Sequence, residues 1–138
     1  MRLVRLLYYS RAIREMSLAD LKDILGTARD NNDSIDVCGM LCYDKQYFLQ
    51  ALEGDRETVN ELYLDIADDP RHDEMVIIRY DEVDKTIFPQ WQMGYAGSSA
   101  QFTELLKTLG QIEFSPADMT GDQAFDFLKE MSGCQSDI

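Results

Sequence analysis

The sequence is short of histidine and cysteine, which argues against a zinc site and against a fold held by disulfides. One His and three Cys occur among 138 residues, and an odd cysteine count does not suit a disulfide framework. On a shared strand, Cys38 and Cys42 would lie about 13 Å apart at ~3.3 Å per residue, beyond the ~7 Å that a disulfide spans. We expect both to be small buried hydrophobic residues.

Positive charge is scarce as well. Lys and Arg number 13 against 26 Asp and Glu, which gives a formal net charge of -13. Such an acidic surface repels nucleic-acid phosphates and anionic membranes. We therefore expect neither a nucleic acid nor a membrane as partner.

Long apolar runs are missing too. No run approaches the roughly 20 residues of a membrane-spanning helix. The apolar stretch Leu6-Leu7-Tyr8 is too short for the core of a signal peptide, and no small-residue cleavage site follows it. We expect a cytoplasmic protein.

The apolar residues that are present predict a β-α-β-β-α-β order followed by one more strand. A capping box of Ser17 and Asp20 begins the first helix, which should end near Asn31-Asn32. Asp55 can cap the second helix, and Asp69-Pro70 should end it. The predicted strands cover residues 2–10, 35–43, 46–53, 75–82 and 86–96, with a tight turn near Asp44-Lys45 and an edge or bulge at Pro89.

This order is that of the ferredoxin-like split βαβ unit, an α+β fold in which two helices cover one sheet face. Residues 98–133 predict two short helices, which would cover the other face, where Leu3, Leu7 and Tyr9 would otherwise be exposed. Residues 134–138 are expected to be a frayed tail.

The first candidate functional residue is Gln50, which shares a strand face with Phe48 and Leu52. The first and third strands of this fold are central neighbours, so Gln50 should lie beneath the helices beside Tyr8. Burying an amide without partners costs roughly 1–3 kcal/mol. Gln50 therefore belongs either to a satisfied Gln–Tyr pair in the core, which the geometry alone favours, or to a site for a polar ligand.

Three further features each allow a structural and a functional interpretation. Asn31-Asn32 suits helix capping, or binding of the carbonyl and N–H edge of a heterocycle. Arg71-His72 suits the C-terminal dipole of the second helix, or a phosphate or ribose. Trp91 and Met93 share a strand face and suit ordinary packing, or a movable lid.

Taken together, these residues resemble the BLUF family, the blue-light sensors that use FAD. The resemblance covers about residues 2–97. Its most specific parts are the stretch Phe-Leu-Gln-Ala-Leu-Glu-Gly around Gln50 and the turn Asp-Pro-Arg-His at 69–72. It implies a flavin-binding domain over 1–97 and a helical extension over 98–133.

The resemblance also implies a site and a switch. The flavin ring would lie between the two helices, and light would rewire the hydrogen bonds of the Tyr8–Gln50 pair without net redox change, with Trp91 and Met93 passing the change on. The implied flavin-binding residues are Tyr8, Ile24, Leu25, Ala28, Asn31, Asn32, Gln50, Ile66, Arg71 and His72, with Ser10 in a supporting contact. Asp65 stands where some relatives carry a basic residue, so FMN or riboflavin is possible beside FAD.

Three functions are considered for this chain. The resemblance implies a non-enzymatic photoreceptor that forms a homo-oligomer and signals to a partner protein. The acidic surface suggests that this partner is basic. The alternative is a ferredoxin-like regulatory module that binds a small metabolite. An acylphosphatase-type hydrolase shares the topology, but no glycine-rich phosphate cradle surrounds Arg11.

Overall fold

The structure is a computed structural model that describes residues 2–88, the main chain of 93–96, and residues 99–133, without the side chains of 32–34. Its elements follow the predicted order. They are β1 (Leu3–Ala12), α1 (Leu18–Ile35), β2 (Cys38–Asp44), β3 (Tyr47–Asp55), α2 (Arg56–Ala67), β4 (His72–Glu82), β5 (Met93–Ala96), α3 (Ala100–Thr108) and α4 (Gly121–Ser132), with a short 3-10 turn at Pro116–Asp118.

The strands form one sheet in the order β4-β1-β3-β2-β5. β1 pairs antiparallel with both β3 and β4, and β2 pairs antiparallel with β3. β5 runs parallel to β2 at the outer edge. The predicted α+β, ferredoxin-like fold is confirmed, with β1 and β3 as central neighbours.

Two element boundaries differ from the prediction at α1. The predicted capping box forms, because the Asp20 main-chain N–H donates to Ser17 Oγ at 3.1 Å and the Ser17 N–H donates to the Asp20 carboxylate at 2.9 Å. The helix, however, passes Asn31-Asn32 and ends at Ile35. The left-handed residue that follows it is Asp36, with φ of 56°, so β2 begins at Cys38 rather than at residue 35.

The predicted fifth strand over 86–96 is shorter than expected. The described part of β5 spans Met93–Ala96, and residues 86–88 are not in a strand. The main-chain N–H groups of Ile87 and Phe88 donate to the Glu53 side chain instead of to a neighbouring strand. Pro89 lies outside the described residues, and Asp55 precedes α2 without forming a side-chain cap.

The first sheet face packs against α1 and α2. Its core is formed by every second side chain of β1 and β3 together with the apolar side chains of one face of each helix. The buried members include Leu6, Leu25, Leu52, Val59 and Leu62.

The second face is covered by the C-terminal helices, as predicted. Leu7 of β1 and Leu49 of β3 pack in one cluster with residues of α3 and α4. Phe102, Phe114 and Phe127 form its aromatic centre, with ring centroids 5.1 to 5.7 Å apart. The boundaries of this extension at 97/98 and 133/134 stay a prediction.

Cys38 and Cys42 are free and buried, as predicted. Burial raises the pKa of the Cys38 thiol to about 12. In the described part of the chain, no group of three or more His, Cys, Asp or Glu side chains is placed to hold a metal ion. Nor does any described helix have the length and apolar character needed to cross a membrane.

Candidate functional site

The register of the two central strands places Tyr8 directly opposite Gln50. Both side chains point toward α1 and α2, and they are 2% and 5% exposed. The Tyr8 hydroxyl donates a hydrogen bond to Gln50 Oε1. The predicted Tyr–Gln pair beneath the helices is therefore present.

The surroundings of Tyr8 keep its hydroxyl protonated. Burial raises the pKa of Tyr8 far above its ordinary value, and the neighbouring Tyr63 and Asp69 raise it further. The Tyr63 ring meets the Tyr8 ring edge-on, with centroids 5.4 Å apart. Tyr8 is thus a hydrogen-bond donor at neutral pH, and the orientation of the Gln50 amide determines what it donates to.

A cavity of about 190 Å³ lies above this pair, between α1 and α2. Its walls are mostly apolar, and Tyr8 and Gln50 supply polar atoms on the sheet side. The lining residues are Tyr8, Ile24, Thr27, Ala28, Asn31, Leu41, Phe48, Gln50, Leu52, Leu62, Asp65, Ile66, Asp69, Arg71 and His72. A cavity with mostly apolar walls and a few polar groups is typical of a site for a small molecule.

An ion-pair cluster links the two helices at the cavity. Arg71, just after α2, contacts the Asp69 carboxylate at 2.5 Å and the Asp23 carboxylate of α1 at 2.9 Å. Asp69 raises the pKa of Arg71, and Arg71 lowers the pKa of Asp69. The single positive charge in this cluster is already balanced by two carboxylates.

His72 ties β4 to β1 and to α2. Its Nδ1 lies 2.6 Å from Ser10 Oγ, and its Nε2 lies 2.7 Å from the main-chain oxygen of Ile66. A carbonyl oxygen can only accept, so His72 Nε2 carries a proton and donates it to the Ile66 main-chain oxygen. His72 therefore positions the end of α2, whose residues Leu62 and Ile66 form one cavity wall.

Most of the predicted site residues meet at this cavity. Ile24, Ala28 and Asn31 contribute from α1, and Ile66, Arg71 and His72 contribute from α2 and the chain that follows it. Ser10 acts through His72. These side chains come from separate parts of the sequence, and the β1–β3 register and the packing of both helices bring them together.

Leu25 is the exception. It is fully buried in the first core rather than lining the cavity. One residue turns a helix by about 100°, so Leu25 faces the sheet while its neighbour Ile24 faces the cavity. The side chain of Asn32 and all of Trp91 lie outside the described residues, and for Met93 only the main chain is described, paired with Gly39.

Sequence reasoning missed several members of the site. Thr27, Leu41 and Asp69 also line the cavity. Thr27 lies three residues from Ile24 on α1, so helical spacing could have indicated it. Asp23 had no such signal, because its role depends on α1 and α2 being adjacent.

The fold and the site define a small α+β ligand-binding domain with a buried phenol–amide pair beside its cavity. The family model for sensors of blue light using FAD, BLUF, matches residues 3–94. The chain belongs to this family, as its motifs had indicated.

Solved structures of short BLUF proteins resemble the chain along nearly its whole length. The photo-activated state of BlsA is 32% identical with a TM-score of 0.91, covering 99% of each chain. The dark state of BlrB is 27% identical with a TM-score of 0.80, covering 96% of this chain and 97% of that chain.

A longer relative shares only this domain-sized region. Subunit beta of photoactivated adenylate cyclase from Euglena longa is 34% identical over 113 residues, which are 80% of this chain and 13% of that protein. The chain therefore spans a small part of the curated relatives that it matches.

The residues at the cavity fit the ring of a flavin. Ile24 and Ala28 of α1, with Ile66 of α2, supply apolar surface, and Asn31 and Gln50 supply polar groups. The fit is less good for a nucleotide tail, because Asp65 and Asp69 also line the cavity and Arg71 is already paired.

Proposed function

We propose that this chain is a blue-light photoreceptor that binds FAD non-covalently between α1 and α2. The observation that supports it most directly is the buried hydrogen bond from Tyr8 to Gln50 at the cavity between these helices. When bound, the flavin would supply blue-light absorption and, in its excited state, a strong oxidant.

The chain's own part in the switch is the rewiring of one hydrogen bond. Tyr8 holds a proton at Oη and could give this proton and an electron to the excited flavin and then take both back, so that there would be no net redox change. The Gln50 amide has an accepting oxygen and a donating nitrogen of nearly the same shape. Rotating or tautomerising this amide changes which group faces the cavity and which faces Tyr8, without repacking the core.

We assign the cofactor contacts to the residues that line the cavity. Ile24, Ala28 and Ile66 would hold the ring, and Asn31 and Asn32 would bond its polar edge. Arg71 and His72 would lie toward the ribityl side. Since the acidic groups at 65 and 69 disfavour a phosphate there, the phosphate-bearing tail should contribute little to binding. We therefore expect FMN and riboflavin, which share the ring with FAD, to bind as well.

The comparisons support a sensor, because the matching family model is that of sensors of blue light using FAD, and we propose that the chain signals rather than catalyses a reaction. The chain matches short BLUF proteins almost end to end. We propose that its output passes through Trp91, Met93 and the helical extension to a partner protein in the cytoplasm. The excess of 26 acidic over 13 basic residues favours a basic surface on that partner. A homo-oligomer stays a prediction.

An absorption spectrum before and after blue light tests this function. The purified chain should be yellow, and its flavin bands should shift reversibly to longer wavelength on illumination. Gln50→Leu or Tyr8→Phe should leave flavin bound and abolish the shift.

Matched controls come from exposed residues. Gln46→Leu, in the turn between β2 and β3, and Tyr80→Phe, on β4, make the same chemical changes away from the cavity and should keep the shift. A colourless protein that gains no flavin on reconstitution would contradict the proposal and favour the metabolite-binding module. A normal light response in Gln50→Leu would contradict the proposed switch.

A further inference from the structure

A buried glutamate lies on the same strand as Gln50 but on the opposite sheet face. Glu53 is fully buried, and its position on β3 directs it toward the C-terminal helices, as alternation along a strand requires. It stands between Arg5 on β1 and Cys38 on β2 in the sheet register. The proposed photoswitch makes no use of it.

Glu53 holds the chain that leads to the last strand. Its Oε1 accepts the main-chain N–H of Phe88 at 2.8 Å and that of Ile87 at 3.0 Å. Ile87 and Phe88 directly precede residues 89–96, which include Trp91 and Met93 in the sequence. A side chain on β3 thus replaces the strand partner that these two N–H groups lack.

The other oxygen of Glu53 connects to helix α4. Arg5 Nε donates to Glu53 Oε2 at 2.9 Å, and the two side chains are 12% and 0% exposed. The Arg5 guanidinium then lies 4.9 Å from the centroid of the Phe125 ring on α4. Arg79 of β4 lies 5.6 Å from the same ring and pairs with Asp122 of α4 at 2.8 Å.

These contacts form one continuous connection from the switch strand to the chain at Ile87 and Phe88 and to helix α4 of the extension. Hydrogen bonds to a charged group are the strongest in a protein interior, and a carboxylate such as that of Glu53 accepts hydrogen bonds without donating any. A change in the position of β3 near Gln50 would therefore move Ile87, Phe88 and Phe125 together rather than be absorbed by loose packing.

Resting on the photoreceptor function above, we propose that Glu53 is a positioning residue that couples the Gln50 switch to the chain at residues 86–88 and to helix α4. The cavity that would hold the flavin lies on one face of the sheet, and the Glu53 side chain lies on the opposite face. Loss of Glu53 should consequently separate light detection from the structural response of the extension.

The test compares two readouts in flavin-loaded full chain, in the dark and under blue light. The first is the reversible spectral shift, which reports the cavity. The second is hydrogen–deuterium exchange of α4 (Gly121–Ser132) with the fluorescence of Trp91, the one tryptophan in the sequence. Glu53→Gln is the main variant, because it keeps the shape and removes the charge and one acceptor.

The expected result for Glu53→Gln is a normal spectral shift with equal α4 exchange rates in light and dark. Phe125→Leu and Arg5→Lys should likewise keep the spectral shift and lose the light response of α4. These two variants provide the test if Glu53→Gln does not fold. Glu82→Gln is the matched control, since its carboxylate pairs with Arg2 and Arg56 on the surface.

Three outcomes would overturn the inference. A wild-type light response of α4 in Glu53→Gln, or in both other variants if that protein does not fold, would show that the coupling passes elsewhere. Loss of the spectral shift in Glu53→Gln would place Glu53 in the sensing step instead. If the exchange rates of α4 in the wild type are equal in light and dark despite a normal spectral shift, there is no response of α4 for Glu53 to couple. If the wild type shows no shift at all, it is the photoreceptor function that fails.

Discussion

The hydrogen bond between Tyr8 and Gln50 should produce strongly non-additive stability changes. Tyr8→Phe removes a buried donor. The unfolding free energy should fall by about 1 kcal/mol for the lost bond, and by up to roughly 3 kcal/mol if Gln50 Oε1 is left without a hydrogen bond. Gln50→Leu leaves the Tyr8 hydroxyl buried without its acceptor, with a loss in the same range of about 1–3 kcal/mol. The two side chains are 2% and 5% exposed, so both groups are shielded from bulk solvent.

The double variant should lose much less stability than the sum of the two single variants. With both groups apolar, no buried polar atom of the pair remains, and such paired replacements can be nearly neutral. We expect a coupling energy of about 1–2 kcal/mol, within the range seen for residues in direct contact.

Equilibrium urea unfolding of the wild type, both single variants and the double variant measures this coupling. Flavin stabilises only the folded state, so each midpoint must be taken over a series of flavin concentrations and extrapolated to none. Tyr8→Phe combined with Thr120→Ala, which share no hydrogen-bond partner, is the additive control. Losses for Tyr8→Phe and Gln50→Leu that add to within ~0.5 kcal/mol would refute the reasoning.

Three other properties can be predicted. Burial raises the pKa of Tyr8 in the folded state, so above the ordinary tyrosine pKa of about 10 the unfolded chain loses this proton while the folded chain keeps it. The unfolding free energy should therefore fall as the pH rises above about 10. Urea unfolding of Tyr8→Phe should be less sensitive to pH above that value. Thr120 and Gln123 form a complete capping box on α4, so Thr120→Ala should lower the unfolding free energy by about 1 kcal/mol, whereas Thr120→Ser should not. Phe127→Ala, 2% exposed between two phenylalanine rings, should cost about 3–5 kcal/mol by thermal or urea unfolding, and a loss below ~1 kcal/mol would mean that α4 does not pack on the sheet.

Local patterns in the sequence determined much of the fold. The alternation in β1 and β3 indicated which faces are buried, and helical spacing indicated the apolar sides of α1 and α2. The capping box of Ser17 and Asp20 marked where α1 begins, and the structure contains it. These features depend on neighbours within a few residues, so the sequence alone reveals them.

Boundaries set by distant contacts were less predictable. Helix α1 passes Asn31-Asn32, two residues that are compatible with both a helix and a turn, and continues to Ile35, with the left-handed residue at Asp36. The segment 86–88 is not a strand, because the Glu53 carboxylate takes the N–H groups that a neighbouring strand would otherwise bind. Propensity does not report such competition.

The sequence by itself determined the kinds of side chain available for the site: a phenol and an amide on facing strands, and apolar residues on two helices. The predicted fold also placed Gln50 beside Tyr8. Only the tertiary structure decided that the two stand directly opposite each other, that Leu25 faces the core while Ile24 faces the cavity, and that Arg71 pairs with Asp23. The physical reason is that strand register, helix rotation and ion pairing depend on residues far apart in the chain, whose positions are settled by packing the whole sheet and its helices at once.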